Sequence, residues 1–296
     1  MKTSLTEVLI IGAGPAGIAA AIQLKRYGLA PVLLEKESVG GLLRNANLVE
    51  NYPGFPNGIA GPKLVTLFER QIKRIGAEVT FDEVLRLDYE NGWLAEAKKN
   101  SYQPDVVVIA TGTKPKPLPI HVPVQARGRV CSEVWPLADV SGKRIVIVGA
   151  GDAAFDYALN LAGRGNTVTI LNRGCETTCL SLLWERAKAN PNITYQEQTN
   201  ITLIESDSSD DHLQLFTTHY SLITDYLLFA IGREPVLDFL SERVKMQERA
   251  LVESGKLYFA GDVHNGLFRQ TAIAAGEGMR IAMLIYEQVS SRAKVE

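Results

Sequence analysis

Cys175 and Cys179 are spaced as Cys-Glu-Thr-Thr-Cys. In a helix that spacing puts both thiols on one face with Cα atoms about 6 Å apart, near the long end of what a disulfide spans. A bridge closed there carries mild strain and is easier to reduce than a relaxed one, which suits redox exchange better than bracing. Arg173 favours a nearby thiolate and Glu176 opposes it, so neither sulfur is singled out as the nucleophile. Two readings compete with this one: a pair of unpaired thiols on a helix face, and a partial metal site, for which no further His or Cys stands close in sequence. Cys131 has no partner nearby and reads as a small buried or surface residue. Three cysteines in 296 residues are too few for a secreted disulfide framework.

Dinucleotide binding is written twice. Val8-Leu-Ile-Ile-Gly12-Ala-Gly14-Pro15-Ala16-Gly17 returns as Ile145-Val-Ile-Val-Gly149-Ala-Gly151-Asp152-Ala153-Ala154, a constant 137 residues on. In the first copy Gly12 permits the tight turn, Gly14 lets the backbone approach a pyrophosphate, and Gly17 lets the helix pack close to its strand. The helix N-terminus at Pro15 and Ala16 then faces the phosphates. Glu35, followed by Lys36, ends the next strand, where a carboxylate accepts bonds from both ribose hydroxyls and repels a 2′-phosphate. FAD or NAD fits there and NADP does not. The second copy keeps the phosphate turn at Gly149, Gly151, Asp152 and Ala153, and Ala154 is an accepted variant of the third glycine, but Asn172 replaces the ribose-binding acid.

The elements that position these residues follow from the same repeat. Each copy reads strand, glycine turn, helix, helix-stop glycine (Gly28, Gly165) and second strand (Val32–Leu34, Thr169–Leu171). The predicted fold is therefore α/β, with two Rossmann-like dinucleotide-binding domains, the second inserted into the first. The four prolines between Thr113 and Pro123 form an extended first crossover. A second lies near Gly232-Arg233-Glu234-Pro235, after the strand Tyr226–Ile231, with Arg233 a candidate contact for the second nucleotide. The expected boundaries are 1–119 and 237–296 for the first domain and 120–236 for the inserted one. Runs Asp105–Ala110 and Leu257–Ala260 read as buried strands whose ends approach a ligand. A composition 46% hydrophobic and 22% charged, with net charge −2, suits globular domains and gives no electrostatic reason for nucleic acid. The polar stretch Met1–Thr6 and the early glycines predict neither signal peptide nor membrane span, hence a cytoplasmic protein, with peripheral membrane contact left open.

In chain order, Gly40-Gly41-Leu42-Leu43, Glu50-Asn51-Tyr52-Pro53-Gly54, Ala110-Thr111-Gly112, Ala260-Gly261-Asp262 and Arg269-Gln270-Thr271 resemble the low-molecular-weight thioredoxin reductases and related flavoproteins, over nearly the whole chain. The resemblance implies FAD in the first domain, with Asp262 on the ribityl chain and the Arg269-Gln270-Thr271 turn beside the isoalloxazine. A helix beginning near Thr271 would offer N–H groups and a positive dipole end to an electron-rich reduced flavin.

Two features of that family are altered. Its Cys-x-x-Cys falls at Ser132 and Trp135, and the acid that follows is Pro136. Its 2′-phosphate selector, His-Arg-Arg with a later Arg, becomes Asn172-Arg173-Gly174 with Thr178, so only Arg173 survives. Charge-assisted bonds are worth roughly 1.5–3 kcal/mol each, so these losses predict an enzyme that does not depend on NADPH. Together with the new Cys175 and Cys179, the pattern resembles the diflavin-linked disulfide oxidoreductases. That resemblance implies a second FAD in the inserted domain, two per chain with juxtaposed rings. It also implies a redox disulfide between Cys175 and Cys179, and electron flow from dithiol to flavin. The implied partners are a dithiol or thiol-protein donor and an unidentified acceptor, and fold analogy adds a homodimer. One tension is geometric, since in an ordinary Rossmann mode this loop lies near the adenosine end of the ligand. Two other functions compete: a ferredoxin- or NAD(P)H-linked flavin reductase with incidental cysteines, and a flavin-binding regulatory module without turnover.

Overall fold

The computed structural model describes residues 3–206 and 212–292. Among these, six α-helices occur: α1 (Pro15–Arg26), α2 (Gly61–Arg74), α3 (Asp152–Ala162), α4 (Ser181–Lys188), α5 (Glu242–Glu253) and α6 (Thr271–Arg292). The chain divides into two compact units: Met1–Arg44 with Val49–Lys114 and Glu234–Glu296, and Asn45–Leu48 with Pro115–Arg233.

In the first unit, the apolar run at Val8 lies in the strand Thr3–Ile11, inside a seven-stranded sheet. Its parallel neighbours are Val32–Glu35 (Leu9 opposite Val32) and Ser101–Ile109 (Val8 opposite Val106), and Val79–Phe81 pairs beyond Val32–Glu35. Leu257–Phe259, from the returning chain, adds parallel to Ser101–Ile109, while Trp93–Ala97 and Val84–Tyr89 extend the sheet antiparallel. Period-2 alternation sends successive side chains to opposite faces, and both faces are covered. Val8, Ile10, Val106 and Val108 pack with Ala20 and Leu24 of α1 and Ile281 and Ile285 of α6. Leu9, Ile11, Val107 and Ile109 pack with Trp93, Val244 and Leu251.

The second unit has a five-stranded parallel sheet in the order Ile193–Gln196, Thr167–Leu171, Arg144–Val148, Tyr226–Phe229, Val130–Cys131. One face is covered by α3 through Phe155, Ala158 and Leu161. The antiparallel strands Ile201–Glu205, Leu213–Thr217 and Ser221–Thr224 supply Ile204, Leu213 and Leu215 to a second cluster with Val146 and Leu227.

The unit boundaries differ from the expected 120 and 236. The crossovers Thr113–Pro115 and Arg233–Pro235 pair with each other as a two-stranded sheet, so the division falls at that ribbon, at the start of the proline-rich stretch. Unexpected too is Asn45–Leu48. Asn45 Nδ2 donates to Glu133 Oε2 at 2.5 Å, Trp135 N donates to Asn45 Oδ1 at 3.0 Å, and Asn47 N donates to Asp156 Oδ2 at 2.9 Å. Those side-chain partners lie far along the chain, beyond the reach of a local pattern.

Candidate dinucleotide and thiol sites

In the first unit the strand Thr3–Ile11 ends at Gly12, whose φ is +108 and where a Cβ would lie 2.4 Å from Ala110 O. Only glycine fits, because the turn closes against the neighbouring strand's end. A Cβ on Gly17 would meet Gly12 O at 1.9 Å, so α1 stands close over the turn. Gly14 is the opposite case, with open space around a would-be Cβ at the helix N-terminus. That space fits a pyrophosphate. Glu35 clasps the turn, its Oε2 accepting from Ala13 N at 2.9 Å and its Oε1 from Glu37 N at 3.0 Å. Gly40 N donates to Ala13 O at 2.8 Å, which brings Gly41 to the turn beside Gly14, with Leu42 following. Lys36 is exposed.

The flavin motifs converge on the same region. Thr111 Cα lies 3.1 Å from a Cβ built on Gly12, and a Cβ on Gly261 would lie 3.0 Å from Ala16 and 3.3 Å from Ala274. Thr111 Oγ1 donates to Val236 O at 2.8 Å, and Gly112 O accepts from Val236 N at 3.1 Å, anchoring the returning chain. Asn51 Nδ2 donates to Gln270 Oε1 at 2.8 Å, joining two motifs 219 residues apart. α6 opens at Thr271, its first bond running from Ala274 N to Gln270 O. Arg269 Nε is buried with no hydrogen-bond partner among the described residues. A buried donor orphaned in this way fits a polar, anionic cofactor such as FAD.

The second unit repeats the turn. Gly149 has φ +147, and its Cβ would lie 2.4 Å from Ala230 O, as Gly12's does from Ala110 O. Asp152 opens α3, Ala153 is exposed and Ala154 is fully buried. The likeness extends further than the sequence repeat. Thr178 N donates to Ala150 O at 2.9 Å, matching Gly40 N to Ala13 O, so Cys179 holds the place of Gly41. Leu180 N donates to Asp152 Oδ1 at 2.7 Å. The cysteine loop therefore folds back to the glycine turn, with Thr178 Oγ1 3.5 Å from a Cβ built on Gly151.

The segment from Cys175 to Cys179 is not helical; α4 begins only at Ser181. Asn172, buried at 6% exposure, organises a loop instead, its Oδ1 accepting from Gly174 N and its Nδ2 donating to Glu176 O and Tyr195 O–H. The N–H groups of Thr178 and Leu180 are spent on Ala150 and Asp152, which leaves no i→i−4 ladder. Both thiols are free. Cys175 is exposed and accepts from Gln198 Nε2 at 3.0 Å. Gln198 is held at φ +52, a conformation rare for non-glycine residues. Cys179 packs against the core around Phe155 and Trp184, and burial, with the Asp152 charge adding, raises its thiol. Burial pushes the Cys131 thiol to about 12.

Arg173 is exposed at the loop's start. Arg233 Nη1 donates to Glu133 Oε1 at 2.5 Å. Glu133 centres a polar cluster that the sequence did not reveal. Burial, the Glu133 charge and a hydrogen bond to Glu133 all push the Tyr157 hydroxyl up, and burial pushes Asp156 to about 6. Two acids four residues apart on α3, Asp152 and Asp156, were the available signal.

The model for the family described as pyridine nucleotide-disulphide oxidoreductase matches residues 6–278. The chain belongs to that family. It is 30% identical to the thioredoxin reductase of Chlamydia pneumoniae over 94% of this chain and 97% of that protein. It is 31% identical to the thioredoxin reductase of Mycolicibacterium smegmatis, over 94% and 95%. The fold matches T. acidophilum thioredoxin reductase with TM-score 0.82 at 26% identity, covering 96% of this chain and 99% of that one. It matches Lactococcus lactis thioredoxin reductase (FR conformation) with TM-score 0.83 at 24% identity, covering 97% and 99%. The fold is thioredoxin reductase-like, and FAD is the cofactor of proteins of this kind.

Membership overturns one expectation, independence from NADPH. The family is a pyridine-nucleotide family, and relatives along nearly the whole chain are thioredoxin reductases, which are NADPH-dependent. Physically, the turn at Gly149 and Gly151 and the N-terminus of α3 keep the form of the first copy, and Arg173 keeps a cation at the loop's start. Among the described residues no helix is long and apolar enough to cross a membrane, and no group of three or more His, Cys, Asp or Glu could hold a metal ion.

Proposed function

We propose that this chain is an FAD-dependent disulfide oxidoreductase that exchanges two electrons among a pyridine nucleotide, a flavin held by the first unit, and the dithiol of Cys175 and Cys179. Gly12, Gly14, Glu35, Asn51, Asp262 and the Arg269-Gln270-Thr271 turn would hold the FAD. Bound there, FAD supplies two-electron transfer between a hydride donor and a dithiol. Gly149, Gly151, Asp152 and Arg173 would take the second dinucleotide.

Support comes chiefly from the cysteine loop, tied to the second glycine turn by Thr178 N and Leu180 N. Exposed Cys175 suits exchange with a protein partner, and half-buried Cys179 suits the inner position. In the direction that the resemblance implies, a partner thiolate attacks the Cys175–Cys179 disulfide, forming a mixed disulfide and releasing one cysteine as thiol. The partner's second thiol then displaces the other. The partner leaves as a disulfide, and two electrons and two protons remain on Cys175 and Cys179. A thiol protein of the thioredoxin class is the fitting partner, and a homodimer is the fitting assembly.

Thiol counting tests this. In the oxidised protein only Cys131 should alkylate after unfolding; NADPH or a dithiol should expose the other two. Cys175→Ser and Cys179→Ser should each abolish exchange between dithiol and flavin while FAD content stays unchanged. Three alkylatable thiols under every condition would overturn the assignment. A second reading, FAD in both units, is favoured by Asn172, Gly174 and Thr178 at the selecting positions, and an FAD-to-polypeptide ratio of about two would establish it.

A further inference from the structure

Glu277 lies on α6, six residues beyond Thr271, and its Oε2 reaches back to the turn after the strand Leu257–Phe259. That one oxygen accepts from Gly261 N at 2.7 Å and from Asn265 Nδ2 at 2.8 Å. The two donors bracket Asp262. The turn has little freedom of its own: Gly261 stands at φ +77 and is pressed against Ala16 of α1 and Ala274 of α6. The helix carrying Glu277 is fixed as well, because Gly278 touches the α1 backbone so closely that a Cβ would fall 2.0 Å from Ala16 O. A carboxylate on a rigid helix thus sets a short turn through charge-assisted bonds, which are shorter and stronger than neutral ones.

We propose that Glu277 is the positioning residue of the flavin-binding turn, fixing the Gly261 backbone and through it the place of Asp262. This rests on the reading of Asp262 as the residue that meets the ribityl chain of FAD. Glu277 acts through the turn, as groups that orient a cofactor's ligands do.

Titration of the apoprotein with FAD, followed by flavin fluorescence and visible circular dichroism, tests it. Glu277→Ala should weaken FAD binding by roughly tenfold to a hundredfold. Glu277→Gln, whose amide oxygen can still accept both bonds, should stay within about tenfold of wild type and restore the dichroism of the bound flavin. In an Asp262→Ala background Glu277→Ala should add little, because both act on one contact. Asn265→Ala, which removes one bond and leaves Glu277 in place, should give a smaller loss and covers the case in which Glu277→Ala fails to fold. Wild-type affinity in Glu277→Ala with weakened binding in Asp262→Ala would overturn the proposal alone, as would fully additive losses. Unchanged affinity in Asp262→Ala would overturn the ribityl assignment and the proposal with it.

Discussion

Asp156 is a carboxyl group in a place that disfavours charge. Burial pushes it to about 6, the Asp152 charge adds to the rise, and only the hydrogen bond from Asn47 N opposes it. Because the folded value lies above the ordinary 3.8, the fold prefers the protonated form. Its contribution is complete below about pH 3.8 and is lost as pH rises through about 6. Asp156→Asn stays neutral and can still accept from Asn47. It should stabilise the protein by about 1–2 kcal/mol near pH 8 and by almost nothing near pH 4. Thermal melts at the two pH values check this, and an equal gain at both would refute the burial argument. Residues of this kind are hard to see in a sequence. Gly12 and Gly149 were legible because each stands in a repeated strand–turn–helix pattern, although the strand ends that they press against, Ala110 and Ala230, lie far along the chain. Glu133 was not, because Arg233 and Asn45, which define it, lie 100 and 88 residues away.

Between elements, the contact of α1 with α6 is made backbone to backbone at Gly278. A methyl group at 2.0 Å from Ala16 O cannot be relieved by rotating a side chain, so the helices must separate. Gly278→Ala should cost roughly 3 kcal/mol or more and lower FAD retention with it, since the turn at Gly261 rests on both helices. Gly276, two residues earlier, has nothing within 4 Å of its would-be Cβ. Gly276→Ala should be neutral or stabilise by up to about 1 kcal/mol, through better helix propensity. Calorimetric melts of the two variants separate crowding from propensity, and equal effects would refute the packing account. The strands of the two repeats with α1 and α3 could be read from apolar runs and glycine punctuation, while the start of α6 came with the flavin-motif resemblance. The loop from Arg173 to Leu180 could not: its i, i+4 cysteines suggest a helix, but Asn172, Ala150 and Asp152 claim its backbone donors, and two of these lie outside the segment.

For the molecule as a whole, the repeat at 137 residues made the two dinucleotide folds and the insertion legible, and the flavin motifs made the family legible. Independence from NADPH was expected from the altered selecting residues Asn172, Gly174 and Thr178, although the phosphate turn was read as kept, and the thioredoxin reductase relatives overturn that expectation. The sheet of the first unit needs the strand Leu257–Phe259 from the far end of the chain, beside Ser101–Ile109, and α6 against α1. A chain ending after Glu253 should therefore bind no FAD, although Gly12, Gly14 and Glu35 are all present. Absorbance of the purified fragment checks this, and a yellow fragment would show that the N-terminal segment makes the cofactor site alone.

The interrupted first unit also sets an order of events during synthesis. Pro115–Arg233 leaves the ribosome as nearly the whole of the second unit, so its core can condense while translation continues. The earlier segments have no such option, since their sheet waits for a strand about 150 residues downstream of Ser101–Ile109 and for the closing helix behind it. Until then a strand rich in valine, Ser101–Ile109, lacks one of its partners, an invitation to chaperones and to wrong pairing. Flavin supplied to nascent chains would find no complete site before α6 emerges.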